Sequence, residues 1–344
     1  MFNFNLKTNI IFYSFLHFLV DGLCSLVIWA RLYKGDSNAS MALFLIYNIL
    51  AFCTQPIFGL FIDRFKNKEK LFLLISVLCL ILGVVFSFEF ITSAILLGFG
   101  NSIFHIAGGK YVIDRTKNDI VSLGIFVAPG ALGLVIGKYV IHLATWITFI
   151  SLLVIFTIFL LLAKDVKEKE DTKQINISNN LTLVLLFMII LVVLFRAFIG
   201  GFNFYTFDKS FLVLILMGAS TMVGKMLGGI LSKYIGINIA IIVTMIISMI
   251  CFMFFNNNLY LTMLGIILFN CSMPMTLYLA NELFQNHEGF SFGILAAFLV
   301  PGYFLATLEY SELIAKILIA VFSILSILLV IVSNNKINKP GDFI

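Results

Sequence analysis

Residues 59–70 read Gly-Leu-Phe-Ile-Asp-Arg-Phe-Lys-Asn-Lys-Glu-Lys, a short basic turn between two long apolar runs. Charged side chains are costly in the hydrocarbon interior of a bilayer, so such a turn is expected to lie outside it. The whole chain is 61% hydrophobic and only 11% charged, with a mean hydropathy of +1.11. Soluble domains carry about 25% charged residues. The composition therefore predicts an all-α integral membrane protein, and the turn marks one side of the membrane.

Twelve apolar runs are long enough to cross a membrane, because a spanning helix needs about 20 mainly apolar residues. These runs are 9–30, 40–62, 71–90, 92–113, 120–142, 144–163, 181–201, 210–231, 237–255, 259–280, 290–308 and 312–332. A charged, Asn-rich segment separates the first six runs from the last six. We expect an N-terminal six-helix half at 1–163, a cytoplasmic linker at 164–180, a C-terminal six-helix half at 181–333 and a cytoplasmic tail at 334–344.

Lys and Arg residues in the loops predict the orientation, because they accumulate on the cytoplasmic side of membrane proteins. With a cytoplasmic N-terminus, the external loops hold only Arg31, Lys34 and Lys209, and the cytoplasmic segments hold most of the others. Lys110 and Lys316 are expected at the membrane interface. The pattern predicts a multi-pass protein of the plasma membrane with both termini in the cytoplasm.

The second half of the sequence repeats features of the first half at a shift of 169 positions. The matched pairs include Gly59 and Gly228, Arg64 and Lys233, and Asn101 and Asn270. The same shift holds at separate places without a gap, so the two halves are expected to be pseudosymmetric. Two related six-helix halves are typical of secondary transporters, whose substrate site lies near the middle of the membrane.

The pattern Gly59-x-x-x-Asp63-Arg64-x-x-x-Lys68 resembles the signature loop of the major facilitator superfamily. The degenerate copy from Gly228 to Lys233 falls where that family has its second copy, with Ser232 in place of the acid. The resemblance implies the major facilitator fold and a latch at Asp63 that holds the outward-open state. The gating residues implied in this way are Gly59, Asp63, Arg64, Gly228 and Lys233.

Two further stretches resemble the fosmidomycin-resistance type of exporter within this superfamily. They are His17-Phe18-Leu19-Val20-Asp21-Gly22 and Gly98-Phe99-Gly100-Asn101-Ser102-Ile103-Phe104-His105-Ile106-Ala107-Gly108. The glycine pattern of antiporters is present only in the loose form Pro129-Gly130-x-x-Gly133-x-x-x-Gly137. The resemblance implies export of a small solute.

Tyr13, His17 and Asp21 are four residues apart and share one face of the first helix. Ionisable groups inside a membrane are expensive and usually mark a pathway or pair with a partner. One hypothesis is that Asp21, helped by His17, is the proton-coupling site. The alternative is a structural pair of Asp21 with a histidine or an arginine.

Other polar residues inside the predicted helices are candidates for a substrate cavity. Arg196 lies too deep in the seventh helix to reach the surface, and its anionic partner is either Asp21 or the substrate. The cavity candidates are Tyr13, Asn101, His105, Arg196, Asn270, Lys138 and Lys225. Lys138 and Lys225 could instead extend to lipid headgroups. The positive balance of these groups favours an anionic substrate.

The sequence contains no metal-ligand cluster, no nucleophile with an evident base and no phosphate-binding loop. We therefore expect a transporter and not an enzyme, with no cofactor and no metal. The expected activity is proton-coupled export of a small organic anion, either drug-like or a metabolite. Its alternatives are an uncoupled facilitator or importer on the same fold, and a non-transporting scaffold. The expected partners are a small-molecule substrate, protons and the lipid bilayer, with no nucleic acid, and the chain is expected to be a monomer.

Overall fold

The structure is a computed structural model that describes residues 5–32, 38–163, 179–202 and 210–338. Every regular element in these ranges is a helix. Most of the predicted linker, from 164 to 178, and the end of the predicted tail, from 339 onward, lie outside the described residues.

The first half of the chain contains eight α-helices and two short π-helical segments. They are α1 (Leu6–Val27), a π segment (Ile28–Leu32), α2 (Asn38–Asn48), a π segment (Ile49–Cys53), α3 (Gln55–Ile62), α4 (Glu69–Val85), α5 (Phe90–Thr116), α6 (Ile120–Val127), α7 (Pro129–Tyr139) and α8 (Leu143–Leu162). The second half contains α9 (Asn179–Gly201), α10 (Phe211–Ile235), α11 (Ile237–Phe254), α12 (Leu259–Asn270), α13 (Ser272–Leu283), α14 (Glu288–Ala297), α15 (Leu299–Ala306) and α16 (Glu312–Asn338).

These elements form twelve spans, as the sequence predicts. Eleven helical segments of the described chain are long and apolar enough to cross a membrane. The twelfth span is α4, which has 17 residues. Four of the predicted runs each contain two α-helices, so there are more α-helices than spans.

The breaks inside these four spans lie next to prolines. The prolines are Pro56, Pro129, Pro274 and Pro301, and each lies in the first turn of the second α-helix of its span. Proline has no N–H to donate, and the first turn of a helix is the place where that group has no helical acceptor. The proline positions therefore explain why these spans are divided.

Contacts divide the chain into two compact units. The first comprises Met1–Lys117, Ile125–Lys169 and His287–Ala297, and the second comprises Asn118–Gly124, Glu170–Asn286 and Phe298–Ile344. The short segments that begin at Asn118 and His287 are related by the same 169-residue shift as the two halves. Each of them belongs to the unit that the other half of the sequence mainly builds.

Glycines bring helix backbones close together within each unit. In the first unit, a Cβ atom at Gly133 or Gly137 would overlap the carbonyl groups of Phe18 or Gly22 on α1. In the second unit, Gly224 of α10 lies in the same way against the backbone of α12. Small residues permit this close approach between membrane helices. The loose glycine pattern of the sequence thus packs α7 on α1.

Candidate transport site and gating contacts

A buried cluster of titratable side chains lies between α1 and α5 in the first unit. Asp21 Oδ2 is 3.2 Å from His17 Nε2, and Asp21 Oδ1 is 3.7 Å from His105 Nε2. The two Nε2 atoms are 2.9 Å apart. None of the three residues is more than 8% exposed. The cluster joins two residues predicted for proton coupling with one predicted for the substrate cavity.

The far side of each histidine ring is held by a backbone carbonyl. His17 Nδ1 lies 2.9 Å from the carbonyl oxygen of Phe126, and His105 Nδ1 lies 2.9 Å from that of Asn101. A carbonyl oxygen can only accept a hydrogen bond, so both Nδ1 atoms carry a proton and donate it. Both Nε2 atoms then face each other and Asp21. Two such nitrogens at this distance need a cation, either a proton or a metal ion, between them.

Asn101 and Gly130 complete the surroundings of Asp21. Asn101 Nδ2 donates a hydrogen bond of 3.1 Å to Asp21 Oδ1. A Cβ atom at Gly130 would overlap both Asp21 Oδ2 and His17 Nε2. Only a residue without a side chain fits at this point of α7. The sequence indicated Gly130 only as part of a glycine pattern, and its place beside the cluster depends on how α7 packs on α1.

Tyr13, the third residue of the predicted face of α1, is fully buried one turn away from His17. Its ring stacks on that of Tyr111, with ring centroids 4.4 Å apart. The ring also packs near Gly108, where a Cβ atom would contact it. Tyr13 thus lies between the same two helices as the cluster, α1 and α5.

Among the described residues of the second unit, Arg196 on α9 is the buried cation, and it is 8% exposed. Its guanidinium donates a hydrogen bond of 3.2 Å from Nη1 to Thr276 Oγ1 on α13. This is the one hydrogen bond described for its side chain, and none of the ion pairs found among the described residues involves it. The sequence left Asp21 or the substrate as its anionic partner. Asp21 has its own partners in His17, His105 and Asn101.

The remaining cavity candidates have contacts of their own. Asn270 Nδ2 donates to the carbonyl of Ile266 one turn earlier, at 2.8 Å. Lys138 Nζ lies 3.9 Å from the ring centroid of Trp29. In the second unit, a Cβ atom at Gly124 would lie 2.7 Å from the backbone carbonyl oxygen of Lys225. Within the first unit, the described contacts of Lys138 are therefore with Trp29 and not with the Asp21 cluster.

The signature loop contacts the start of α14 within the first unit. Asp63 accepts hydrogen bonds of 2.9 Å each from the backbone N–H groups of Gly289 and Phe290. A carboxylate at a helix N-terminus satisfies free N–H groups and complements the helix dipole. A Cβ atom at Gly59 would overlap the same stretch of backbone, so this glycine permits the approach of α3 to α14.

Lys110 joins three carboxylates beside this contact. Its Nζ atom lies 3.5 Å from Asp63, 3.0 Å from Asp114 and 3.3 Å from Glu288. Burial raises the pKa of Asp63, while the two N–H donors and Lys110 act in the opposite direction. Lys110, expected at the membrane interface, is only 5% exposed, because its carboxylate partners surround it. Two of these partners come from distant parts of the sequence. Arg64, by contrast, is exposed.

The second copy of the loop makes weaker contacts within the second unit. Ser232 Oγ donates to the carbonyl of Gly228 on its own helix, at 2.7 Å. Lys233 Nζ lies 3.3 Å from Asp119 Oδ1 in a solvent-exposed pair. A Cβ atom at Gly228 would overlap the backbone of Cys271, so close helix packing is retained. The capping acid of the first loop has no equivalent here.

Twelve spans, four of them broken next to prolines, a repeated loop and buried ionisable groups define a polytopic membrane transporter. Residues 10–307 match the family model of the Major Facilitator Superfamily, and the chain belongs to this superfamily. It is thus a multi-pass membrane transporter that works by alternating access, and a transporter rather than an enzyme. No curated protein matches the sequence significantly. The family and the twelve-helix fold predicted from the sequence are confirmed.

Solved structures show the same fold at low sequence identity. A variant of the Escherichia coli fucose:proton symporter FucP has a TM-score of 0.68 and 9% identity, covering 95% of this chain and 98% of that chain. FucP in the outward conformation has a TM-score of 0.71 and 12% identity with the same coverage. An outward-facing bacterial homologue of the iron transporter ferroportin has a TM-score of 0.64 and 16% identity, covering 98% of this chain and 99% of that chain.

Proposed function

We propose that this protein is a proton-coupled secondary transporter that exports a small organic anion, either drug-like or a metabolite. It works as a monomer in the plasma membrane with both termini in the cytoplasm. The environment of Arg196 is the observation that supports an anionic substrate. A guanidinium stays charged at any accessible pH, and burying a charge without a counter-charge is costly. Arg196 is buried with a neutral hydroxyl as its described partner.

An anionic substrate would supply the missing counter-charge. A guanidinium has five N–H donors, and it binds carboxylates, phosphates or phosphonates through two parallel hydrogen bonds. Thr276 accepts a hydrogen bond from one of these donors. The remaining donors of Arg196 are suited to a planar or tetrahedral oxyanion.

The buried cluster of Asp21, His17 and His105 supports proton coupling. Its carboxylate and two imidazoles lie inside the predicted membrane region, where ionisable groups are retained for function. Proton coupling occurs on this fold, since one of the structural neighbours is a fucose:proton symporter. The proposal of export rests on the resemblance of the segments around His17 and His105 to exporters of the fosmidomycin-resistance type. Asp63 is proposed to stabilise one state of the transport cycle.

The anion proposal is tested with protein reconstituted in liposomes under an imposed proton gradient. Radiolabelled fosmidomycin serves as a phosphonate probe, beside a neutral drug of similar size. We expect Arg196→Gln to abolish uptake of the phosphonate while it leaves a larger share of neutral-drug uptake. Arg31→Gln, which changes an arginine near a predicted external end, is the matched control and is expected to behave as wild type. Equal losses for both compounds would contradict the anion-binding role.

Proton coupling is tested with Asp21→Asn in the same liposomes. We expect the variant to lose accumulation driven by the proton gradient while it retains exchange of substrate across the membrane. Gradient-driven accumulation at the wild-type level would instead favour the uncoupled facilitator or importer. Absence of any transport by the wild-type protein, over a panel of anions, would favour the scaffold.

A further inference from the structure

We propose that His17, Asp21 and His105 form a binding site for a divalent first-row transition-metal ion, with Zn²⁺ as the reference ion. The three ligand atoms lie within 4.8 Å of one another, and all three side chains are buried. The inference goes beyond the proposed function, because anion transport through Arg196 does not require a metal ion. Three lines of geometry support it.

The first line is the orientation of the imidazole rings. Both Nδ1 atoms donate to backbone carbonyls, of Phe126 for His17 and of Asn101 for His105. Metal-bound histidines typically donate the other ring N–H to a carbonyl or carboxylate, which fixes the ring and its tautomer. The arrangement directs both Nε2 lone pairs to one point, where they lie 2.9 Å apart. The repulsion between two lone pairs is relieved when a cation binds both.

The second line is the size of the ligand triangle. The two Nε2 atoms are 2.9 Å apart, and the carboxylate of Asp21 approaches them through different oxygens, Oδ2 at 3.2 Å from His17 and Oδ1 at 3.7 Å from His105. In a tetrahedral zinc site with bonds of about 2.0–2.1 Å, neighbouring ligand atoms are about 3.3 Å apart. With one ligand atom from each residue, the three atoms lie within 4.8 Å of one another, so a metal ion fits after side-chain rotations that bring them closer. Asn101 also holds the carboxylate by a hydrogen bond, as is usual for metal-bound acids.

The third line is the close packing of Gly130 against the ligand atoms. A side chain at this position of α7 would overlap the carboxylate oxygen of Asp21 and Nε2 of His17. Glycine therefore lets α7 pack beside the cluster without displacing these two ligands.

The ligand set also predicts which ions bind. Two imidazoles and one carboxylate suit Zn²⁺, Co²⁺, Ni²⁺ and Fe²⁺. Ca²⁺ and Mg²⁺ prefer sites made of oxygen atoms. A metal ion that uses both Nε2 lone pairs excludes a proton from them, so metal binding and proton coupling are alternatives at this cluster. Binding is therefore measured without transport, and its result is independent of the anion assay.

The experiment uses the full-length protein, purified in detergent and stripped with a chelator, and measures Zn²⁺ binding by calorimetry. The chain has four histidines, and the two outside the cluster are His142 and His287. The double variant His142→Ala/His287→Ala removes this background and is expected to bind one Zn²⁺ per chain with wild-type affinity. An excess of Mg²⁺ or Ca²⁺ should not displace it. Co²⁺ should give the absorption spectrum of a four-coordinate site.

Two variants made in this background address the site itself. His105→Gln removes a ligand, and Gly130→Ala keeps all three ligands but brings a methyl group into overlap with Asp21 Oδ2 and His17 Nε2. Loss of an outer partner of a metal site costs about 10–100-fold in affinity, so we expect Gly130→Ala to weaken Zn²⁺ binding by a factor in this range and His105→Gln to weaken it more. Unchanged helical content and a single peak in gel filtration would show that each variant is folded.

Several results would overturn the proposal. They are saturable Zn²⁺ binding at wild-type strength in folded His105→Gln, loss of binding in the His142→Ala/His287→Ala protein, and no saturable binding by the wild-type protein. If His105→Gln does not fold, Gly130→Ala decides alone. Tight one-to-one binding that persists in folded Gly130→Ala would contradict the site.

Discussion

Asp63 and Gly289 are 226 residues apart in sequence, and the carboxylate of Asp63 accepts a hydrogen bond of 2.9 Å from the N–H of Gly289. The neighbouring N–H of Phe290 donates to the other carboxylate oxygen. The signature loop therefore caps the first turn of a helix from the other half of the sequence. The shifted copy has Ser232 at the equivalent position, and this serine bonds to its own helix. The two loops are related in sequence but unequal in chemistry.

Asp63→Asn is expected to weaken this contact, because it removes the charge and one of the two acceptors. Capping interactions are worth about 0.5–2 kcal/mol, and about 1–2 kcal/mol changes an equilibrium about 5–30-fold. We expect transport in liposomes to fall by a factor in this range, with protein yield and thermal unfolding close to wild type. Ser232→Ala is the matched control and should change transport less than twofold. A larger effect of Ser232→Ala than of Asp63→Asn would refute this asymmetry.

Lys110→Met is expected to destabilise the protein strongly. The substitution leaves Asp63, Asp114 and Glu288 close together without their cation, and loss of one partner from a buried ion pair costs about 3–5 kcal/mol. Thermal unfolding in detergent measures the loss. A second change, Asp114→Asn, should recover part of it, because it removes one of the carboxylates left without a counter-charge.

Lys316→Met is the control for Lys110. Lys316 pairs with Glu312 at 2.7 Å, but the carboxylate of this pair is largely exposed. Exposed ion pairs contribute little to stability, because water screens the charges. We expect an unfolding temperature near that of wild type. If Lys110→Met were as well tolerated as Lys316→Met, the buried ion-pair cluster would not contribute to stability.

Gly133→Ala and Gly200→Ala are expected to have opposite effects, although both replace a glycine within a helix. A Cβ atom at Gly133 would overlap the carbonyl of Phe18, so α7 must move away from α1. At Gly200 no atom lies within 4 Å of the added Cβ. Alanine is favoured over glycine in a helix by about 0.8–1 kcal/mol. Gly133→Ala should therefore lower the midpoint of thermal unfolding, and Gly200→Ala should keep or raise it. A neutral Gly133→Ala would argue against the close α1–α7 contact.

The sequence was sufficient for the spans, the repeat and the signature loop, because these depend on local composition and spacing. Long apolar runs, prolines and basic turns indicate where a chain can cross a bilayer. The sequence did not show which residues contact the buried charges. Asp21 could pair with His17, four residues away, or with Arg196, and spacing alone does not decide between them. The structure pairs Asp21 with His17 and His105.

Gly130 and Lys110 show why such partners are hard to predict. The role of Gly130 depends on the packing of α7 on α1, more than a hundred residues apart in sequence. For Lys110 the sequence indicated no partner, and Glu288 and Asp63 approach it from elsewhere in the chain. Both cases depend on tertiary contacts that leave no periodic signal in the sequence.

Lys138 offers a test between two roles that the sequence left open, a place in the substrate cavity or an anchor near the membrane surface. Its ammonium group lies 3.9 Å from the ring centroid of Trp29 and 5.2 Å from that of Tyr139. Such cation–π contacts are worth about 0.5–2 kcal/mol. Lys138→Met should therefore lower stability by this amount and leave the affinity for the transported anion unchanged. Trp29→Phe, Lys138→Met and the double variant form a cycle whose coupling energy measures the contact. A loss of anion affinity in Lys138→Met, with no coupling to Trp29, would instead place this lysine in the cavity.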